Sequence, residues 1–225
     1  MGCMILMNEK IKKTIDVTCI SDLHGHYPKL EGGDLLIIAG DLTARDEPHE
    51  YIYFRNWLSL QDYRKKIVIA GNHDNNLELD YRFGSKPFLE IADYLCDSGT
   101  EFEGLKIWGS PHTKTFPGMN PKCKAFTCDT EEELNEKWKL IPDDVDILIT
   151  HSPAYGVLDQ NIKGEHCGSK SLLEAIQRIK PRLIVHGHLH EQGSICNAIN
   201  GTTFVNASHV NEKYQPVNKP VRIEI

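Results

Sequence analysis

Residues 67–74 read Ile67-Val-Ile-Ala-Gly-Asn-His-Asp74, in which an apolar run ends in a cluster of polar side chains. Four consecutive apolar residues, three of them β-branched, predict a short strand that is buried on both faces. An amide, an imidazole and a carboxylate then follow the glycine in successive positions. Taken alone, Asn-His-Asp is better explained by a turn held by Asx hydrogen bonds, so its meaning depends on the rest of the chain.

The same arrangement of an apolar run and a polar end recurs along the sequence. Further strands are predicted at residues 15–20, 35–39, 105–108, 145–150 and 183–186. Four of these runs end in Ser21-Asp22-Leu23-His24, Gly40-Asp41, Thr150-His151-Ser152-Pro153 and His186-Gly187-His188-Leu189-His190. Because the carboxyl ends of parallel strands share one edge of a sheet, we expect all five polar clusters to converge in one crevice.

Helical spacing separates several of these strands. Apolar residues at helical intervals predict helices over residues 48–60, 130–140 and 169–179, with Asp129 as the cap of the second. This alternation indicates an α/β protein with a largely parallel sheet in its N-terminal part. Strand-like pieces at 194–196, 202–206 and 221–225, joined by polar turns, predict a second, more antiparallel sheet. A length of 225 residues favours a single domain spanning residues 1–225.

Composition limits the partners and the compartment. The chain has 25 Lys and Arg against 32 Asp and Glu, a formal charge of −7, which argues against binding a long nucleic acid but allows a small phosphate ester. Seven cysteines without a CxxC pair predict free thiols in a reducing compartment. With no basic leader in the first ten residues and no run of about 18 apolar residues, we expect a cytoplasmic protein without a membrane partner. The oligomeric state stays open.

The conjunction of the clusters carries more weight than any one of them. Asp-x-His and Gly-Asp are common without a function, and His-x-His is only somewhat more specific, since alternate residues of an extended segment point the same way. Five clusters at five strand ends, however, supply imidazole, carboxylate and amide ligands that suit Mn, Fe or Zn. This pattern predicts a metal centre.

The order DxH, GD, GNH[DE], H and GHxH over residues 22–190 resembles the calcineurin-like metallophosphoesterases. Gly40-Asp-Leu-Thr-Ala44, Val185-His-Gly-His-Leu-His-Glu191 and Phe204-Val-Asn-Ala-Ser208 resemble the compact branch named for its metallophosphoesterase domain. The fold implied by the resemblance is an α/β two-sheet β-sandwich flanked by helices.

The resemblance also implies roles for seven ligand residues. The first metal would be held by Asp22, His24, Asp41 and His190, and the second by Asp41, Asn72, His151 and His188. Asp41 would bridge two divalent ions, with Mn the first expectation and Fe or Zn as alternatives. Such enzymes hydrolyse phosphoesters by in-line attack of a hydroxide held between the metals.

His73 and Asp74 are the implied catalytic residues. His73 would protonate or stabilise the leaving oxygen, and Asp74 would orient it, although many relatives carry Glu at that position. No arginine cluster lies near the motifs, where Arg45 and Arg182 are the nearest candidates. We therefore expect phosphodiesters, small or of the cyclic nucleotide type, to be preferred over dianionic monoesters.

Two alternatives remain. A phosphomonoesterase of the protein phosphatase type would continue its Gly-Asp motif with Asp-Arg-Gly, whereas Ala44-Arg45-Asp46 stands near that place here. A non-catalytic scaffold of the same fold would have lost the catalytic histidine and metal ligands, but this chain retains His73 and all seven ligand positions. The sequence thus favours a metal-dependent phosphoric diester hydrolase.

Overall fold

The computed structural model describes residues 14–84, 88, 90–116 and 118–225, so the expectation for the first ten residues lies outside it. Two sheets face each other across an apolar core, and helices cover the outer side of each sheet. The predicted α/β fold, a two-sheet sandwich flanked by helices, is confirmed. Within the described ranges, no helix combines the length and apolar character needed to cross a bilayer.

The first sheet has five strands among the described residues, in the order β13-β1-β2-β3-β4. They are β1 (Asp16–Ile20), β2 (Gly33–Ala39), β3 (Tyr63–Ile69), β4 (Asp93–Tyr94) and β13 (Val221–Glu224). The predicted strands β1, β2 and β3 pair in parallel, as expected. The strand β4, which was not predicted, is parallel to β3, and β13 lies antiparallel to β1. The expectation that β13 belongs to the second sheet is wrong. Its Val221 and Ile223 pack against the core between the sheets, which explains its place beside β1.

The second sheet has the order β11-β12-β10-β9-β6-β5 in the described chain. Its strands are β5 (Ser98–Phe102), β6 (Leu105–Ser110), β9 (Ile147–Thr150), β10 (Leu183–His186), β11 (Ile195–Ile199) and β12 (Thr202–Asn206). The inner neighbours are parallel, and only the two edge strands pair antiparallel. The prediction of a mainly antiparallel second sheet is therefore wrong, because three of the predicted parallel strands, β6, β9 and β10, lie here. A short parallel pair, β7 (Thr113–Lys114) and β8 (Thr127–Cys128), stands apart.

Four helices cover the sandwich in the part that the structure describes. They are α1 (Pro48–Ser59), α2 (Asn75–Arg82), α3 (Glu131–Trp138) and α4 (Lys170–Ile179). The cap of α3 is Thr130 rather than Asp129, because the Thr130 hydroxyl accepts from the Glu133 N–H at 3.2 Å and completes a capping box. The sequence did not predict α2, of which only Leu77 is buried.

Burial on both faces explains the continuous apolar runs. In β2, Leu35 and Ile37 face the other sheet, whereas Leu36 and Ile38 pack under α1 and α2. On the opposite side, Trp138 and other residues of α3 and α4 pack on the second sheet. The carboxyl ends of the parallel inner strands of both sheets meet at one edge of the sandwich.

Candidate metal centre

Strand ends from both sheets supply the predicted ligands. Asp22, Asp41 and Asn72 follow strands of the first sheet, and His151 and the His188 segment follow strands of the second. The predicted convergence is found, but across two sheets rather than along the edge of one. The seven predicted ligand residues, Asp22, His24, Asp41, Asn72, His151, His188 and His190, are brought together in two groups.

The first group consists of Asp22, His24, Asp41 and His190, whose donor atoms all lie within 4.8 Å of one another. The Nε2 atoms of His24 and His190 are 3.3 Å apart. His190 Nε2 is 3.2 Å from Asp22 Oδ1, and His24 Nε2 is 3.6 Å from Asp41 Oδ2. Two imidazoles and two carboxylates therefore face one point.

The second group is centred on the amide oxygen of Asn72. That Oδ1 atom is 3.1 Å from His151 Nε2 and 2.9 Å from His188 Nδ1. His151 Nε2 is also 3.4 Å from Asp41 Oδ1. Because Oδ1 of Asp41 faces this group while its Oδ2 faces the first, the two groups share one carboxylate.

The donor set fits two divalent cations. Asp22 and Asp41 are almost completely buried, and a buried carboxylate is costly unless a cation or hydrogen bonds compensate its charge. Imidazole nitrogens together with carboxylate and amide oxygens are ligands suited to Mn, Fe and Zn. A carboxylate shared by the two groups would suit a pair of cations held a few ångströms apart.

Burial and neighbouring charges shift the pKa values of the ligand imidazoles in opposite directions. Burial lowers the pKa of His24 to about 4 and that of His188 to about 3, which favours the neutral rings that bind metals. Burial also acts against charge on His151, but the Asp41 carboxylate outweighs it and raises the pKa of His151 to about 9. The pKa of Asp41 is held well below its usual range despite burial, because His151 and neighbouring rings favour its charged form.

These features match a known family. A family model described as calcineurin-like phosphoesterase matches residues 15–192. The chain belongs to this family. Among its relatives is the human metallophosphoesterase domain-containing protein 1, which is 39% identical over 233 residues, covering 92% of this chain and 70% of the relative. A UPF0046 protein of Caenorhabditis elegans is 33% identical, and the match covers 92% of this chain and 74% of that protein.

Solved structures show the same fold at low identity. The phosphopantetheinyl hydrolase of Mycobacterium tuberculosis superposes with a TM-score of 0.63 at 18% identity, covering 92% of this chain and 95% of that one. The TT1561 protein of Thermus thermophilus gives a TM-score of 0.59 at 16% identity, with 86% and 89% coverage. These likenesses concern the phosphoesterase fold alone.

Two glycines of the phosphoesterase motifs allow the ligands to approach. A Cβ atom on Gly71 would overlap Asp41 Oδ1 and lie 2.7 Å from the His151 ring. A Cβ atom on Gly187 would overlap Asp22 Oδ2 and lie 2.7 Å from Ser21 Cβ. Neither position can hold a side chain without displacing a ligand.

Left-handed backbone turns aim several ligands. The φ angles are 51° at Asp22, 42° at His24, 54° at Asp41 and 70° at His188. Non-glycine residues rarely adopt this conformation, and such strain persists where surrounding contacts fix it, often at functional sites.

Hydrogen bonds behind the ligands fix their orientation. The Ala39 carbonyl oxygen can only accept, so at 2.9 Å it takes a hydrogen bond from His151 Nδ1–H and leaves Nε2 facing the site. The Ser208 hydroxyl donates to Asp22 Oδ2 at 2.7 Å. Ser208 lies beyond the segment that the family model matches. Ser208 ends the motif Phe204-Val-Asn-Ala-Ser208, to which the family resemblance assigned no role.

His73 lies beside the first group. Its Nε2 is 3.9 Å from Asp41 Oδ2, and its backbone N–H donates to Asp41 Oδ1 at 2.9 Å. Its Nδ1 is 3.4 Å from the Cys123 sulfur, within hydrogen-bonding distance for a thiol. Cys123 was not predicted to take part, because no motif and no periodic pattern marks the sequence around it.

Asp74 has a different environment from the one predicted. Its carboxylate accepts from the backbone N–H of Gly71 at 2.8 Å and of Leu42 at 3.1 Å, and from the Thr43 hydroxyl at 3.4 Å. These are its hydrogen bonds among the described residues, and the predicted contact that would orient His73 is not one of them. Asp74 instead joins the loop after β2 to the loop after β3. A direct part in catalysis stays a prediction.

A cavity of about 650 Å³ opens above the two ligand groups. Asp41, Asn72, His73, His188 and His190 form its floor. Its walls include Lys114, Lys163, Glu165, Glu191, Glu212, Phe116 and Tyr214. Of the residues that the structure describes, neither Arg45 nor Arg182 belongs to this lining.

Proposed function

We propose that this chain hydrolyses phosphodiesters of small molecules with two divalent cations, Mn²⁺ first among them. The observation that carries the proposal is the Asp41 carboxylate, whose two oxygens face two separate ligand groups beneath the cavity. When bound, two such cations supply a water of lowered pKa and positive charge for the phosphoryl oxygens.

The residues of the chain divide the remaining work. Asp22, His24 and His190 would hold one cation together with Asp41. The other cation would be held by Asn72, His151 and His188 on the opposite side of the same carboxylate. His73 lines the cavity floor beside Asp41, and its Nε2 donates a proton to the leaving oxygen. This proton transfer lowers the activation barrier of hydrolysis most for a basic leaving group.

Cys123 positions the His73 ring. With the thiol 3.4 Å from Nδ1, the opposite nitrogen is directed at the cavity floor. Cys123 is 8% exposed and its pKa is raised by burial, so it is present as a neutral thiol beside the imidazole. Its role is to hold the ring rather than to react.

The charge of the cavity wall supports a diester. Glu165, Glu191 and Glu212 outnumber Lys114 and Lys163 in the lining. A diester carries one negative charge and a monoester up to two near neutral pH, so an acidic wall disfavours the monoester more. The two lysines are the feature that favours a phosphomonoesterase, which remains the second candidate.

The compartment proposed is the cytoplasm. Six cysteines are free among the described residues: Cys19, Cys96, Cys123, Cys128, Cys167 and Cys196. Free thiols are typical of reducing compartments.

The test compares a bis(4-nitrophenyl) diester with 4-nitrophenyl phosphate under matched metal and pH. We expect no turnover after chelation, recovery with Mn²⁺, and a higher kcat/KM for the diester. A tenfold advantage for the monoester would assign the protein to the phosphomonoesterases. Absence of turnover by metal-loaded protein on any phosphate ester of a broad panel would favour the scaffold.

A further inference from the structure

A tyrosine from the C-terminal segment covers the first ligand group. The Tyr214 ring centroid lies 4.8 Å from that of His24 and 5.2 Å from that of His190, both in edge-to-face contact. The same ring is 6.2 Å from His73. One aromatic side chain therefore adjoins two candidate metal ligands and the proposed general acid.

A clamped turn holds this ring over the site. The Asn211 side-chain oxygen accepts from the backbone N–H groups of Lys213 and Gln215, each at 3.0 Å. The Tyr214 N–H donates to the Asn211 carbonyl at 2.8 Å, and Tyr214 has a φ of 58°. A bulky residue rarely adopts this left-handed conformation, so the turn orients Tyr214 at some cost in strain.

The ring is only half covered. Tyr214 is 49% exposed, whereas His24 beneath it is 4% exposed. The uncovered part of Tyr214 forms a wall of the cavity. Phe116 stands beside the second ligand group, with its ring centroid 6.4 Å from that of His188, and is 52% exposed. Each ligand group thus has an open aromatic wall beside it.

We propose that Tyr214 is a specificity-determining residue that stacks on an aryl or nucleobase substituent of the substrate. The substrate class rests on the proposed phosphodiester hydrolysis, in which the phosphorus lies over the cavity floor and its substituents extend along the walls. An aromatic face selects a planar substituent because stacked and edge-to-face ring pairs gain energy that an alkyl group does not. Removing a stacking ring lowers affinity about tenfold or more.

Turnover of two substrates with the same leaving group tests this selectivity. Bis(4-nitrophenyl) phosphate retains an aryl group on phosphorus after cleavage, and methyl 4-nitrophenyl phosphate retains a methyl group. Tyr214→Leu should lower kcat/KM for the first about tenfold more than for the second, about 1.4 kcal/mol of selectivity. Tyr214→Phe should preserve the preference. Tyr53→Leu, at a 59% exposed tyrosine of α1 outside the cavity lining, is the matched control.

A binding measurement tests the stacking role of Tyr214 separately from the proposed hydrolysis. Calorimetric titration of Mn²⁺-loaded protein with phenyl phosphate and methyl phosphate should show a preference for phenyl phosphate that Tyr214→Leu removes. If Tyr214→Leu lowers the affinity for both probes equally and also loses bound Mn²⁺, Tyr214 only packs against the metal-ligating histidines, and the proposal is overturned. A preference for phenyl phosphate that survives Tyr214→Leu would overturn it as well. If wild type prefers phenyl phosphate but turns over no phosphate ester, the proposed hydrolysis is refuted and the stacking role of Tyr214 is upheld.

Discussion

Replacing Ser208 by alanine should weaken metal binding without unfolding the protein. The Ser208 hydroxyl donates at 2.7 Å to Asp22 Oδ2, which also accepts from the His188 N–H at 3.0 Å. A hydrogen bond to a charged group contributes about 1.5–3 kcal/mol. Its loss leaves the Asp22 carboxylate oriented by the His188 N–H and His190 alone, so part of the free energy of metal binding is used to order it. Loss of such an orienting bond typically lowers metal affinity about 10- to 100-fold.

Competition with a chromogenic chelator measures this affinity directly for Mn²⁺. Ser171→Ala is the matched control, because the buried Ser171 hydroxyl donates to the Glu131 carboxylate at 2.6 Å away from the site. We expect Ser171→Ala to lower the unfolding midpoint while leaving Mn²⁺ affinity unchanged. Wild-type affinity in Ser208→Ala would refute the idea that Ser208 holds a metal ligand.

Four other predictions address the shared carboxylate, the general acid, the thiol beside it and acid stability. Asp41→Asn should lose both ions where wild type retains two, measured by elemental analysis after gel filtration; retention of two would contradict bridging. His73→Ala should lower kcat about 10²–10⁴-fold for alkyl leaving groups and less for aryl ones at unchanged metal content. Cys123→Ala should lower kcat by part of the loss seen in His73→Ala and should shift the pH–rate profile, and Cys123→Ser should restore the wild-type kcat and profile. An unaltered pH–rate profile in Cys123→Ala would exclude a role for Cys123 in positioning the His73 ring. Burial opposes charge on Asp97, but hydrogen bonds and the charge of His112 lower its pKa from the usual value of 3.8. The ionised Asp97 therefore stabilises the folded state above about pH 4, and this stabilisation is lost as the pH falls through the pKa of the folded state. Asp97→Asn should therefore cost about 1.5–3 kcal/mol in urea unfolding at pH 7, and a gap from wild type that does not narrow below pH 4 would contradict the pairing.

The strands and their polar ends were predictable because burial on both faces leaves uninterrupted apolar runs. Residues 183–186, for example, were predicted at the bounds of β10. The assignment of strands to sheets was not predictable, because an apolar run indicates that a strand is buried but not which strand it pairs with. Strands β9 and β10 thus belong to the second sheet, and β13 closes the first. The helix α2 escaped prediction because its sequence is polar except at a few positions.

The motif positions of the site were predictable, and its supporting residues were not. Asp22, Asp41 and Asn72 follow strand ends, where the pattern changes from apolar to polar. Cys123 and Tyr214 come from irregular segments in which no periodic pattern marks a residue that folds back onto the site. The role given to Asp74 came from resemblance, and its burial under the backbone of two loops could only be seen in three dimensions.

Division of the ligands between two sheets makes the interior of the protein a determinant of its metal preference. The contact between Asn72 and His151 joins a loop of the first sheet to a loop of the second, so the thickness of the packed layer between the sheets sets the spacing of the ligands within that group. Packed side chains such as Ile37 and Ile149 lie between the sheets and are not themselves ligands. Laboratory evolution toward a larger or smaller ion could therefore proceed through substitutions in this layer, with every coordinating side chain left intact.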